Sequence, residues 1–324
     1  MDDLYFLLLL LLIFLPIILF FIVVRGPPSR LDLKSRHVLI TGGSSGIGLS
    51  LARLAASEGA RVSILARNQS SLSVAAESIR LSTGVEVSAF SADVRDYDAV
   101  RNVIEQAGEV DVLIINAGVF VPEELDKQDL EEVRKMIDVN LMGSFNVVKA
   151  ALPGMKRREN GGRAPRSIAF MSSQAGQVGI YGYTAYSASK FGLRGFAEAL
   201  QQEVIGDDIY VSLIFPPDTD TPGLAEENKR KPPLTSIIAG SSGSMTADDV
   251  ARKTLDGIKA SRFIITCNSM GRLLSIAAAG MSPQRSIRMA LIEVLGIGMT
   301  RLVALFVQCG WYKSIHEWHA VNKQ

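Results

Sequence analysis

The chain has 324 residues, enough for one large α/β domain or two small ones, and its 34 Lys+Arg nearly cancel its 33 Asp+Glu. That balance excludes the basic surface by which nucleic acid is bound, and no nucleic-acid partner is expected. Two cysteines, Cys267 and Cys309, make neither a disulfide framework nor a zinc motif, and His316 and His319 stand alone in "HEWH", so no metal is expected and the folded part suits a reducing compartment.

The first element is apolar. Residues 4–24 carry only Tyr5 and Pro16 among aliphatic and phenylalanine side chains. About 20 helical residues cross the ~30 Å hydrocarbon core, so a transmembrane anchor is expected over residues 1–25. The rival reading is a cleaved secretory signal. Asp2 and Asp3 at the start, the length of the apolar run and the lack of a small-x-small site before "RGPPSR" all oppose it. Arg25, Arg30, Lys34 and Arg36 follow the span, and the positive-inside bias then keeps the rest of the chain on the cytosolic side. Residues 26–36, "GPPSRLDLKSR", read as a linker.

From His37 onward, short β-branched runs alternate with amphipathic segments. "HVLI" (37–40), "RVSILA" (61–66), "EVSAFS" (86–91), "VLIIN" (112–116), "SIAFMS" (167–172), "YVSLIF" (210–215) and "RFIIT" (262–266) read as buried strands. Helical segments lie between them, among them the single long stretch "LEEVRKMIDVNLMGSFNVVKAALPGMK". This order predicts one α/β domain over 37–266, a doubly wound parallel sheet of Rossmann type with helices on both faces. Its ligands belong beyond the carboxyl ends of the strands.

The remaining stretch, 267–324, departs from that pattern. "GRLLSIAAAGMSP" and "MALIEVLGIGMTRLVALFV" (289–307) are too apolar for a solvated extension, although Glu293 and Arg301 are expensive at bilayer depth. A membrane hairpin, a segment lying in the interface and an oligomerisation helix all remain open here. The lipid bilayer is an expected partner at both ends of the chain.

The chemistry begins at "HVLITGGSSGIGLS". Gly42, Gly46 and Gly48 fall between the first strand and the first helix, with Ser44, Ser45 and Ile47 in the same turn. Glycines there let the backbone approach a pyrophosphate, and the helix start supplies amide donors and a positive dipole end. At the end of the second strand stands Arg67 in "ILARN", with no acid. A guanidinium suits a 2′-phosphate, so NADPH is the expected cofactor in preference to NADH. "SADV" offers Asp93 and Val94 to the adenine, "INAG" offers Asn116 and Gly118 beside the adenosine ribose, and "FPPDTDTPG" offers Pro216, Thr219 and Thr221 to the nicotinamide or the diphosphate.

Tyr186 and Lys190, in "YGYTAYSASK", are four apart and share a helix face. A phenol with a pKa near 10 exchanges protons poorly at neutral pH unless its anion is stabilised, and an ammonium one turn away is expected to lower that pKa. Ser173 ends the fifth strand and can hold a substrate carbonyl. Asn140 can keep an ordered water beside the lysine. Tyr181 and Tyr183 sit ahead of the helix, better placed to line a pocket than to give a proton.

Taken together, "TGGSSGIG", "NAG", Asn140, Ser173 and the Tyr186/Lys190 pair resemble the short-chain dehydrogenase/reductase family, in its order, from about His37 to Thr266. The resemblance implies a tetrad in which Tyr186 donates a proton, Lys190 holds the nicotinamide ribose, Ser173 orients the carbonyl and Asn140 completes the set. It also implies subunit pairing through the helix of Tyr186 and the one before it, hence a homo-oligomer. One departure is Pro217, where the family usually has glycine. The stretches "SSQAGQVGIYGYTAYSASKFGLRGFAEALQQEV" and "PPDTDTPGLAEENKRKP" resemble those family members that reduce a ketone on a membrane-embedded long-chain base at the cytosolic face of the endoplasmic reticulum. The lipid is expected to enter under a mobile lid formed by residues 223–243.

Overall fold

The computed structural model describes residue 15 and residues 31–157, 164–240 and 243–322. The expected anchor over 1–25 therefore lies outside the described residues, Leu15 apart.

Seven parallel strands form one sheet in the order β3-β2-β1-β4-β5-β6-β9. They are β1 (His37–Thr41), β2 (Arg61–Ala66), β3 (Ser88–Ser91), β4 (Val112–Ile115), β5 (Arg166–Met171), β6 (Ile209–Phe215) and β9 (Ile264–Thr266). β1, β4 and β5 are buried at every position, which is why they read as unbroken apolar runs rather than as alternation. The order reverses direction at β1, beside β4, and so opens a crevice at the strands' carboxyl ends.

Helices cover both faces. On one side lie α1 (Gly46–Ser57), α2 (Gln69–Thr83) and α9 (Ala247–Lys259), whose Leu51, Leu72 and Leu255 pack on Ile40, Ile64 and Ile214. On the other lie α3 (Tyr97–Ala107), α5 (Gly143–Lys156) and α6 (Thr184–Val204), closing over Leu39, Leu113, Phe170 and Leu213. Burying each such Leu, Ile or Phe contributes about 1.5–3 kcal/mol.

The long helix expected after "DL" is three pieces. α4 (Leu130–Ile137) passes into a π-turn, Asp138–Met142, and then into α5. The wider turn re-aims the helix at Asn140; such bulges recur at functional sites.

The body is also larger than expected at both ends. Leu31 and Leu33, placed in the linker by composition, are buried in the core, and the Leu31 amide donates to the Lys259 carbonyl at 2.9 Å. Past β9, Cys267 is buried and α10 (Ser269–Ala277) packs against the sheet. After β6 the chain forms a small two-stranded sheet, β7 (Asp218–Asp220) with β8 (Ser244–Thr246), and between them α7 (Pro222–Asn228) and α8 (Pro233–Ala239). α8 is anchored rather than loose: Leu234, Thr235 and Ile238 are buried, and the Thr235 hydroxyl donates to the Tyr181 carbonyl at 2.9 Å. Among the described residues of the expected lid, those that line the crevice, Gly223, Leu224 and Glu227, are all on α7.

The carboxyl end resolves into a single helix, α11 (Ile287–Asn322), with a mean hydropathy of 2.0 over its most apolar stretch. At 1.5 Å per residue it is about 54 Å long, enough to cross a bilayer. Its apolar side chains point in every direction, with Leu295 81% and Phe306 83% exposed. A helix apolar all round does not match a segment lying flat in an interface. Its root is fixed to the body: Arg194 donates to the Ala279 carbonyl at 2.9 Å, and Arg285 to the Ser261 carbonyl at 2.8 Å.

Candidate active site

A crevice of about 410 Å³ runs along the carboxyl ends of β1, β2, β4, β5 and β6. At its floor, the turn after β1 holds Gly42 at φ 67° and Gly46 at φ 53°, left-handed values that favour glycine. A Cβ on Gly48 would fall 2.1 Å from the Gly42 carbonyl oxygen, so the third glycine lets helix and strand close together. Ser45 precedes α1, yet its side chain caps none of the helix amides. The neighbouring α2 and α3 are capped, by Asn68 and Asp96. The first turn of α1 thus presents unused amide donors and its positive dipole end to the crevice, which is what a diphosphate needs. A dinucleotide fits these residues.

Along that floor lie most of the expected contacts. Ser44, Ser45 and Ile47 line it, as do Val94, Gly118 and Pro216. Arg67 lines the far end from an exposed position at the close of β2, next to Asn68. Asp93 is there too, but its carboxylate is gripped by Arg95 at 2.7 Å, which holds its pKa down and uses acceptor capacity meant for the adenine. The Asn116 amide donates to the Thr41 and Gly42 carbonyls, both at 3.2 Å, tying β4 to the glycine turn. Gly48 and Asn140 do not line the crevice; each acts one layer behind it. Pro217, where the family usually has glycine, lines the crevice. The Thr219 hydroxyl donates to the Pro217 carbonyl at 2.9 Å, and the Thr221 hydroxyl oxygen caps α7 by accepting from the Leu224 amide at 3.1 Å. Thr221 also overlies the glycine turn, 3.0 Å from where a Gly46 Cβ would be.

At the other end, β5, α6 and the π-turn bring the expected tetrad together. Ser173 hydrogen-bonds the Tyr186 hydroxyl, and Lys190 Nζ lies 5.6 Å from the centre of the Tyr186 ring while donating to the Met171 carbonyl at 2.9 Å. Asn140 does not stand free for a water. Its Oδ1 accepts from the Val119 amide at 2.8 Å, and its Nδ2 donates to the Val119 carbonyl at 2.9 Å and to Ser189 Oγ at 3.0 Å. It clamps the loop after β4 to α6, and Gly118 leaves open a place where a Cβ would lie 3.4 Å from Asn140 Oδ1 and 3.5 Å from Lys190 Nζ.

The electrostatics also correct the sequence expectation. The Tyr186 pKa is raised, not lowered, by burial first and then by the carboxylate of Glu227; the Ser173 hydrogen bond opposes this. Burial likewise pulls Lys190 down to about 8, with Glu227 resisting. Burial acts on both groups in the sense that disfavours their charged forms, raising the tyrosine and lowering the lysine.

Several residues of this end had no signal in the sequence. Phe120 lies edge-on to Tyr183 at 4.6 Å and tilted over Tyr186 at 4.2 Å. Tyr183 lines the crevice, whereas Tyr181 does not; its hydroxyl pairs with Glu124 and its pKa rises to about 12, chiefly from burial. Glu227 reaches in from α7, and Asp218 from β7. Their spacing from the glycine turn or from Tyr186 follows no rule, so only the folded chain reveals them.

Comparison with known proteins agrees with this geometry. Residues 36–232 match the family model described as short chain dehydrogenase. The chain is 61% identical over 302 residues to "3-dehydrosphinganine reductase TSC10B" of Arabidopsis thaliana, covering 93% of this chain and 91% of the relative. It is 40% identical over 287 residues to "3-ketodihydrosphingosine reductase" of Mus musculus, covering 86% and 85%. Among solved structures, a short-chain dehydrogenase from Sphingobium yanoikuyae in complex with NADPH superposes with a TM-score of 0.62 at 25% identity, covering 71% of this chain and 87% of that one.

Proposed function

This chain belongs to the short-chain dehydrogenase family, and from that premise we propose that it is an NADPH-dependent reductase of 3-ketodihydrosphingosine (3-dehydrosphinganine), forming dihydrosphingosine (sphinganine) in sphingolipid biosynthesis. The observation that carries the reading is identity of 61% across 93% of the chain with a relative of that activity.

The dihydronicotinamide, when bound, supplies a hydride to the carbonyl carbon. Everything else falls to this chain. Ser173 orients the carbonyl oxygen by donating its hydroxyl hydrogen. Tyr186 gives that oxygen its proton as negative charge gathers there. The hydroxyl is protonated at neutral pH, the state a proton donor must hold before the oxygen becomes basic. Lys190 then stabilises the phenolate as it forms, so its help is felt in the transition state rather than in the resting tyrosine. Asn140 keeps α6 and the loop after β4 in register, and Lys190 with it. At the far end, Arg67 takes the 2′-phosphate while the first turn of α1 and Thr221 hold the diphosphate.

The substrate is a single-tailed lipid that stays in the bilayer, and a chain that ends in an apolar helix the length of α11 suits it. We place the protein at the endoplasmic reticulum membrane with its catalytic domain in the cytosol, supported by the basic residues that follow the apolar stretch over 4–24. The exposed Met142, Phe145 and Phe191, on the π-turn, α5 and α6, support pairing of two copies through that face.

A panel of ketones compared by kcat/KM tests the substrate. The reading holds if 3-ketodihydrosphingosine exceeds steroid, retinoid and β-ketoacyl ketones by tenfold or more, and fails if any of these is reduced as well.

A further inference from the structure

The catalytic end of the crevice contains groups that carbonyl reduction does not use. Glu227, partly buried, lines it from α7, yet among the described residues its carboxylate has neither a hydrogen bond nor an ion pair, the neighbouring Lys229 being paired with Glu226 instead. The other charges around it are committed elsewhere: Asp218 is paired with Lys231 at 3.1 Å, and Lys190 donates to the Met171 carbonyl at 2.9 Å. Close by, Tyr183 is 4% exposed and its hydroxyl has no hydrogen-bond partner. Its ring and that of Phe120 wall the same chamber, with centres 4.6 Å apart.

A carboxylate partly withdrawn from water without a partner is unfavourable and is favoured by a cation. An unpaired phenol oxygen calls for a hydrogen-bond donor. Aromatic faces attract positive charge as well, and Lys231, while paired with Asp218, already lies 5.8 Å from the Tyr183 ring centre. One ligand group meets all three demands, a primary ammonium. The substrate read above carries one on the carbon next to its ketone, so when the carbonyl sits at Tyr186 the ammonium must enter the same chamber.

We propose that Glu227, together with the hydroxyl and ring of Tyr183, receives the ammonium of the substrate and thereby selects α-amino ketones over other lipid ketones. Glu227 is then a specificity-determining residue, distinct from the proton donor. Burial and Asp218 push the Glu227 pKa up to about 7, against the pull of Lys190 and Lys231, as expected of a carboxylate short of one positive charge. The same carboxylate contributes to the raised pKa of Tyr186. An ammonium beside Glu227 would offset that contribution, so recognition of the amine and readiness of the proton donor are coupled.

The proposal rests on the substrate assigned above, and the test separates the two. Wild-type enzyme, Glu227→Gln and Tyr183→Phe are assayed with NADPH on 3-ketodihydrosphingosine and on the same ketone lacking the amino group. The readout is the ratio of kcat/KM between the two ketones, which is insensitive to the amount of folded enzyme. The wild type should favour the amino ketone, and Glu227→Gln should reduce that ratio at least tenfold, Tyr183→Phe at least threefold. A ratio unchanged in Glu227→Gln overturns the proposal while leaving the assigned function standing. No turnover of the amino ketone by the wild type overturns the assigned function instead. As a check independent of any variant's folding, hexadecylammonium should inhibit the wild type at least tenfold more tightly than hexadecanol; equal inhibition also overturns the proposal.

Discussion

The two ends of one crevice are built in different ways. At the nucleotide end, the crevice offers backbone: left-handed Gly42 and Gly46 and the uncapped start of α1, with Gly48 packed one layer behind against the Gly42 carbonyl. At the substrate end, it offers side chains from four separate places: Ser173 after β5, Tyr183 before and Tyr186 on α6, Phe120 after β4, and Glu227 on α7. Backbone recognition requires a fixed local conformation, which only certain residues allow. Side-chain recognition requires only that distant segments meet, so it can be retuned for a new substrate without disturbing the cofactor.

The comparison is broken most sharply by removing the proton donor. Tyr186→Phe should lower kcat by about 10²- to 10⁴-fold while leaving NADPH binding, followed by cofactor fluorescence, close to wild type. If cofactor affinity falls in parallel, the two ends are not separable. Next in size is Gly48→Ala. Because the new Cβ would lie 2.1 Å from a backbone oxygen, relief must come from movement of the turn, at about 1–3 kcal/mol of stability. Thermal unfolding with and without NADPH should show a lower Tm and a smaller stabilisation by cofactor.

Arg67→Ala sharpens the nucleotide end further. Loss of a charge-assisted contact worth about 1.5–3 kcal/mol should weaken NADPH by roughly 10- to 100-fold and leave NADH little changed, as read from KM for each. The smallest effect is that of pH on the substrate end. Glu227, with a pKa raised to about 7, is protonated below that pH and ionised above it. Its value as a cation acceptor therefore grows as pH rises: KM for the amino ketone should fall about tenfold over the two units centred near 7, and Glu227→Gln should flatten that profile. Lys190, Asp218, Lys231, Tyr183 and Tyr186 face the same chamber, so the difference between variant and wild type is the meaningful curve.

The same contrast explains what the sequence disclosed. The strand–turn–helix glycines, the run of buried strands and the four-residue step from Tyr186 to Lys190 obey periodic or local rules, and the fold places each where those rules imply. Asn140 was legible as a site residue but not in its duty, since the π-turn that aims its amide at Val119 follows from packing between α4, α5 and α6. The sign of the Tyr186 shift was misjudged because helical spacing reports a neighbour and not the loss of water around both groups. Leu31 and Leu33 looked like linker because a short apolar pair between charged residues carries no period. Glu227 and Phe120 could not be seen at all, being set by tertiary contacts alone.

The central claim is that both ends act on one molecule, a ketone of a long-chain amine, in one NADPH-dependent event. Its most direct test is to measure, with purified full-length protein in micelles, the dihydrosphingosine formed for each NADPH consumed from 3-ketodihydrosphingosine. Equal amounts of the two, abolished together in Tyr186→Phe, are predicted. Oxidation of NADPH without matching product, or product formation undiminished in the variant, would contradict the account.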